Sequence, residues 1–242
     1  MVNGIINSSQ QIVTSGLSLN YDVPQLRSYP TTGTSITDLS GNSNTGTLVN
    51  GVAFSTLYGG NFIFDGTNDY LNCGAVSNIT FERTNTFSFS FWIYPTSLSI
   101  NGGILSKYNT SSRGLTVGLN STGAVSLVLR NTLTTNDLVI NTATGLIAIN
   151  NWYYIVVTYN GSSSATGVSF YINGAKTTGD ITVRNGLTAT ILNSQNVQLG
   201  ARTAADAVYY TGRIASASIY NKVLTADEVL QDFNANRSRY GL

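Results

Sequence analysis

The sequence contains no histidine. This removes the imidazole base on which Ser-His and Cys-His nucleophiles depend, and with it every His-ligated metal site. What remains for catalysis is carboxylate chemistry, and hydrolysis of a glycosidic bond needs two carboxyl groups flanking that bond. The chain has two glutamates, Glu82 and Glu228, and Glu228 is accounted for by a helix start described below. Asp22, Asp38, Asp137, Asp180 and Asp206 read as single turn residues. The reading is therefore that the protein is not an enzyme.

Two groups of side chains could still bind. Asp65 and Asp69, in FDGTNDY, place hard oxygen ligands in one turn, the kind that would take calcium. They lack the regular spacing of a calcium loop, and the preferred reading is a tight Asp65-Gly66 turn with Asp69 capping it through backbone hydrogen bonds. The second group is Lys107, Tyr108 and Arg113 in SKYNTSSRG, with Arg202, Tyr209 and Tyr210 in ARTAADAVYYTG. These lie in or beside expected loops, and Tyr with Arg is the pairing enriched at binding hot spots. They form a candidate binding rim, against the plainer reading of solvated loop residues.

The elements that must position these residues repeat at period two. In TFSFSFWIYP, Phe87, Phe89, Phe91 and Ile93 share one strand face, while Ser88, Ser90, Trp92 and Tyr94 share the other. Further strands are expected at 17–22, 61–64, 103–107, 114–119, 125–130, 152–159, 168–172, 197–200 and 214–220. Turn residues separate them and no helices interleave, which predicts an antiparallel sandwich rather than a parallel α/β sheet. Asn173-Gly174 in SFYINGAKTTG supplies the positive φ angles of a type I′ hairpin.

One helix is expected at the C-terminal end. In VLTADEVLQDFN, Thr225 and Glu228 form a capping box, Leu224 and Val229 a hydrophobic staple, and Val229, Leu230 and Phe233 an apolar stripe. Residues 1–16 read as an arm that orders against a partner, or as a frayed tail, and residues 17–242 as one domain.

Composition narrows the partners. Charged residues make up 10% of the 242, well under the roughly 25% of ordinary domains, so Ser, Thr, Asn and Gly must build the surface. The net charge of +1 comes without a basic cluster, which argues against nucleic acid. No apolar run reaches the roughly 18–20 residues of a membrane span. The single cysteine, Cys73, cannot form an internal disulfide and reads as a small buried hydrophobe. The opening residues lack a charged, apolar secretory pattern, so synthesis in a host cytoplasm without a signal peptide is expected.

The succession FDGTNDYLNCG, FSFSFWIYP, GGILSKYN, NNWYYIVVTYNG, VSFYINGAK and GRIASASIYNKVLTADEV resembles the laminin-G-like, concanavalin A-like lectin-glucanase jelly-roll family over residues 17–242. The resemblance implies an all-β fold of two antiparallel sheets in a jelly roll with a short C-terminal helix, and it implies that Trp92 and Trp152 are packed inside. The E-x-D-x-x-E strand of related glucanases is absent from this chain. The segment LSLNYDVPQLRSYPTTGTSITDLSGNSNTGTLVNG resembles the entry of domains in bacteriophage structural proteins. That likeness implies a virion component, such as a capsid decoration, cement or tail-associated protein at the virion surface. Its partners would be coat or tail proteins, with a homo-oligomer, for example a trimer. The alternative is a lectin module that binds host cell-surface glycans.

Overall fold

The computed structural model describes residues 11–242 except 77, 79, 99–101, 110–112 and 204–207. Its strands in chain order are β1 (Leu17–Asp22), β2 (Ser35–Ile36), β3 (Gly46–Val49), β4 (Ala53–Ser55), β5 (Asn61–Asp65), β6 (Tyr70–Asn72), β7 (Phe87–Pro95), β8 (Gly102–Tyr108) and β9 (Gly114–Leu119). They continue as β10 (Val125–Thr132), β11 (Asn136–Asn141), β12 (Tyr153–Tyr159), β13 (Val168–Ile172), β14 (Ala175–Lys176), β15 (Ile181–Asn185), β16 (Gln198–Leu199) and β17 (Thr211–Tyr220). One α-helix is present among the described residues, α1 (Ala226–Asn236).

The strands form two antiparallel sheets. One runs β14-β13-β12-β7-β17-β5-β4, with β1 alongside the C-terminal half of β17; the other runs β15-β11-β10-β9-β8-β16-β6-β3-β2. Between them the inward residues of β7 (Phe87, Phe89, Phe91, Ile93) meet those of β9 and β10 (Leu115, Val117, Leu127, Leu129) in one core. This is the all-β jelly-roll sandwich with a C-terminal helix that the alternation predicts. The Asn173-Gly174 hairpin also forms, with φ of 52° and 81° at the two residues and Ile172 paired to Ala175.

The outer face of the eight-stranded sheet is covered around β7 and its neighbours β12 and β17. Trp92, Trp152, Tyr154, Tyr171 and Tyr220 make a second core, roofed by Val229 and Phe233 of α1 and by Tyr240. Trp92 stacks on Tyr240 with centroids 4.1 Å apart and on Phe233 at 5.8 Å. Both tryptophans are thus buried, but beneath the helix rather than between the sheets. Their indole N–H groups have no hydrogen-bond partner among the described residues, so ring burial has to outweigh that desolvation.

The helix start follows its sequence signature. Thr225 Oγ1 accepts from Glu228 N (3.3 Å) and Glu228 Oε2 from Thr225 N (3.0 Å), with Leu224 and Val229 both buried. The apolar stripe differs from expectation: Leu230 is 46% exposed, and the buried position is taken by Asp232. Asp232 accepts Val13 N (2.6 Å), Tyr220 Oη–H (2.9 Å) and Tyr154 Oη–H (3.4 Å). Gln231 Nε2 donates to Gln11 O (2.8 Å). Residues 11–16 of the expected arm therefore lie along α1, while residues 1–10 are outside the described residues. Cys73 is buried as expected, and burial pushes its thiol up.

Trp92→Ala is expected to cost roughly 3–5 kcal/mol, as truncation of a large buried ring does, measured by urea unfolding. Burial is the main cause that pushes the Asp232 carboxyl up to about 6 from an ordinary 3.8. The folded protein then holds that proton more tightly than the unfolded chain. Its stabilising contribution is full below the ordinary value and is lost as pH rises through about 6. Between these values the stability of the protein relative to Asp232→Asn should fall by up to about 3 kcal/mol, read from unfolding curves at a series of pH values.

Candidate functional site

With α1 packed over the middle of the eight-stranded sheet, the outward face of the nine-stranded sheet is the other extended β surface, and it is hollow: Thr116, Ser126 and Val139 are only 6–7% exposed. Alternation fixes what it displays. Leu115, Val117 and Leu119 of β9 and Leu127 and Leu129 of β10 point into the core, so Thr116, Gly118, Ser126, Val128 and Arg130 point out.

Strand register aligns these into cross-strand rows. Thr116 faces Val128, which faces Val139 of β11, which faces Arg184 of β15. The next row is Gly118, Ser126 and Asn141. In the third, Arg130 faces Asp137. The β11–β15 register shifts between Val139 and Ile140, so Val183 has no partner across the ladder and both Val183 and Arg184 reach the same hollow. The result is a groove of about 220 Å³ across β8 to β11 and β15.

The groove is anchored by a buried charge cluster. Asp137, 1% exposed at its side chain, accepts from Arg130 Nε (3.0 Å) and from Arg184 Nε through both oxygens (2.9 and 2.8 Å). Arg130 Nη1 also donates to Tyr108 Oη (2.6 Å). One carboxylate thus serves two guanidinium groups. Two rows from Asp137 along β11, on the far side of the Val139 row, Asn141 Oδ1 is buried without a hydrogen-bond partner among the described residues.

The six residues expected to form a loop rim do not sit together. Tyr108 and Arg202 line the groove. Tyr108 is a buried strand residue rather than a loop residue, because the strand extends through it to pair with Gly114. Lys107, one position away, points elsewhere; its Nζ donates to Gln195 O, and burial lowers its pKa. Arg113 N donates to Asn109 Oδ1 (2.8 Å), closing the turn after β8. Tyr210 belongs to the inter-sheet core against Phe64, and Tyr209 is largely buried opposite Ala201.

The acidic residues also correct expectation. Asp137 and Asp22 are strand residues held by arginines, not turn residues, and Asp206 lies outside the described residues. Asp65 Oδ1 accepts from Thr67 N (2.7 Å), which is the first cause lowering its pKa, whereas burial raises that of Asp69, whose Oδ2 accepts from Asp65 N (3.2 Å). This is the expected turn. Among the described residues no three His, Cys, Asp or Glu side chains group as metal ligands. Glu82 accepts from Thr190 Oγ1 and Ile191 N (3.3 Å), and neither it nor Glu228 lines the groove.

A second cleft of about 450 Å³ lies between residues 11–17 and the end of α1. Its carboxylate, Asp22, is already engaged by Arg239 Nη1 (3.2 Å) and Gln25 Nε2 (2.9 Å), and its wall is the N-terminal segment itself.

The two-sheet sandwich agrees with the sequence comparison. The family model described as the concanavalin A-like lectin/glucanases superfamily matches residues 65–230. The chain belongs to this superfamily. No curated protein matches it. Among solved structures, this member of the superfamily is similar to the binding domain of Paraclostridial Mosquitocidal Protein 1, with 20% identity and a TM-score of 0.69 over 91% of this chain and 52% of that one. It is similar to botulinum neurotoxin type C, in a structure titled for cell entry dependent on two ganglioside molecules, at 16% identity and TM-score 0.65, covering 92% and 52%. It is also similar to Trypanosoma rangeli sialidase in complex with sialic acid, at 14% identity and TM-score 0.64, covering 93% and 33%. The chain spans about half the length of the toxin domains and a third of the sialidase. At these identities the likeness is one of fold.

The sequence reading missed Arg130, Asp137, Asn141 and Arg184 as site residues. Asp137→Ala is expected to destabilise the protein by roughly 3–5 kcal/mol, because it leaves the buried Arg130 guanidinium without its counter-charge. Denaturant unfolding of this variant should show a larger loss than that of an exposed aspartate variant such as Asp180→Ala.

Proposed function

We propose that this protein is a non-catalytic glycan-binding module that seats a saccharide in the groove on the outward face of the nine-stranded sheet. The observation that carries the reading is the set of rows across that face. Thr116, Ser126 and Asn141 offer hydroxyl and amide groups that match sugar hydroxyls, while Val128, Val139 and Val183 offer apolar surface for the C–H face of a ring. Asn141 Oδ1, buried and without a hydrogen-bond partner among the described residues, is an acceptor whose desolvation a ligand hydroxyl would relieve. Similarity to toxin binding domains and to a sialidase that holds a sugar acid supports the reading at the level of fold.

The likeness of the opening segment to phage structural proteins favours a compatible second reading, in which the module is borne on a virus particle. Copies in a homo-oligomer would there multiply weak saccharide contacts into avidity.

A glycan array with the whole chain tests the first reading. Binding is expected, and Ser126→Tyr, which places a ring in the middle of the groove, should abolish it with the fold intact by circular dichroism. Amide shifts in NMR titration should centre on Thr116, Ser126 and Asn141. Shifts centred on the cleft beside α1 would remove the groove from the proposal, and an array without any bound glycan would remove the glycan.

A further inference from the structure

We infer that the groove selects acidic saccharides, with Arg184 as the group that receives the sugar carboxylate. The inference rests on the glycan-binding reading and adds the charge of the ligand. Two guanidinium groups, Arg130 and Arg184, share the single carboxylate of Asp137. That trio carries a net charge of +1, a further guanidinium, Arg202, lines the groove, and no other Asp or Glu does among the described residues. A cationic excess that is only partly solvated is costly where the dielectric is reduced, and an anion entering the groove would offset it.

The two arginines are not equivalent. Arg130 is 11% exposed at its side chain and is used on both sides, by Asp137 and by Tyr108 Oη. Arg184 is 33% exposed and is held through Nε alone. Its two terminal nitrogens make no hydrogen bond among the described residues. The Asp137 contact therefore fixes the plane of the guanidinium while leaving one side of the fork unclaimed. That is the geometry for a bidentate bond to a second carboxylate. Position reinforces this. Arg184 stands on edge strand β15 at the register shift, in the same row as Thr116, Val128 and Val139. A ring lying along the row would bring an acid substituent at its end to Arg184, with Asn141 and Ser126 in the adjacent row for its hydroxyls.

The test compares 3′-sialyllactose with lactose, and a galacturonate trisaccharide with neutral galactotriose, by isothermal titration of the full chain. Both acidic ligands are expected to bind at least roughly tenfold more tightly than their neutral partners, as for a charge-assisted hydrogen-bond pair. The preference should weaken as salt is raised from about 50 to 500 mM. Arg184→Gln should remove the preference, bringing each acidic ligand to the affinity of its neutral partner. Arg184→Lys should keep the salt dependence but lose affinity, because a point charge cannot form two parallel bonds.

Unfolding curves establish that the variants fold. If Arg184→Gln does not, the acid-to-neutral ratio in wild type and its salt dependence decide. Equal affinity for acidic and neutral ligands, or an acid preference that survives Arg184→Gln, would overturn the inference and leave a neutral-sugar lectin standing. Tighter binding of 3′-sulfolactose than of 3′-sialyllactose would overturn the carboxylate in favour of sulfate. Failure of every saccharide to bind would remove the underlying lectin reading as well.

Discussion

The fold depends on burying β7 on both of its faces. Its inward rings, Phe87, Phe89 and Phe91, close the space between the sheets, and its outward Trp92 closes the space beneath α1. A strand with one apolar and one polar face can sit at a solvated surface, but a strand alternating rings with Ser88 and Ser90 and ending in Trp92 and Tyr94 cannot leave its second face wet without exposing an indole. The helix is the lid that this requires. Ser88 is accommodated by the same arrangement: its hydroxyl donates to Lys222 O (2.7 Å) and accepts from Leu224 N (3.0 Å), tying β7 to the chain that enters α1. Once α1 is packed over this sheet, the outward face of the other is the extended β surface that remains.

The parts of this architecture that the sequence displays are those in which local pattern and tertiary role agree. β1, β9 and β13 occupy the expected residues, and the Thr225–Glu228 capping box and the Asn173-Gly174 turn form as their chemistry predicts. The unread elements lack such agreement. β11 is NDLVIN, whose interior Leu138, Val139 and Ile140 are apolar and buried on both faces of the strand, so it has no alternation to detect. β15 is ITVRN, an edge strand with exposed Ile181 and Val183 that reads as loop. The site suffers for the same reason. Arg130 and Asp137 are seven positions apart with a turn between them, and only the β10–β11 register shows that they face one another. The loops chosen from composition contained one residue, Tyr108, that completes this cluster, yet the loop assignment concealed that it belongs to a strand.

Asp232 shows the opposite failure. Helical spacing assigns a stripe from apolar residues, and Leu230 satisfies the composition while Asp232 does not. Burial nevertheless goes to the aspartate, because three donors converge on it: the amide of Val13 and the hydroxyls of Tyr220 and Tyr154. A buried carboxylate with these partners ties three separate parts of the chain together. It joins the N-terminal segment to α1 and α1 to β12 and β17, a specificity that an apolar residue at 232 would not provide.

The sparing use of charge gives the groove its electrostatic character. In a domain with abundant surface ions, a pair of arginines around one aspartate would be one ion cluster among many and would be screened by its neighbours. Here 10% of residues are charged and the chain total is +1, so the Arg130–Asp137–Arg184 trio alone carries a charge equal to that of the whole molecule, and Arg202 lines the same groove. Asp137 lies at the base of the cluster and neutralises one arginine, while the register shift in β15 presents the other along the row of Thr116, Val128 and Val139. Removing Asp137 would release both guanidinium groups from their fixed orientation, and adding a second acid would cancel the excess. The arrangement of two bases on one acid therefore combines rigidity with residual charge, which is what distinguishes a surface that recognises an anion from one that merely tolerates it.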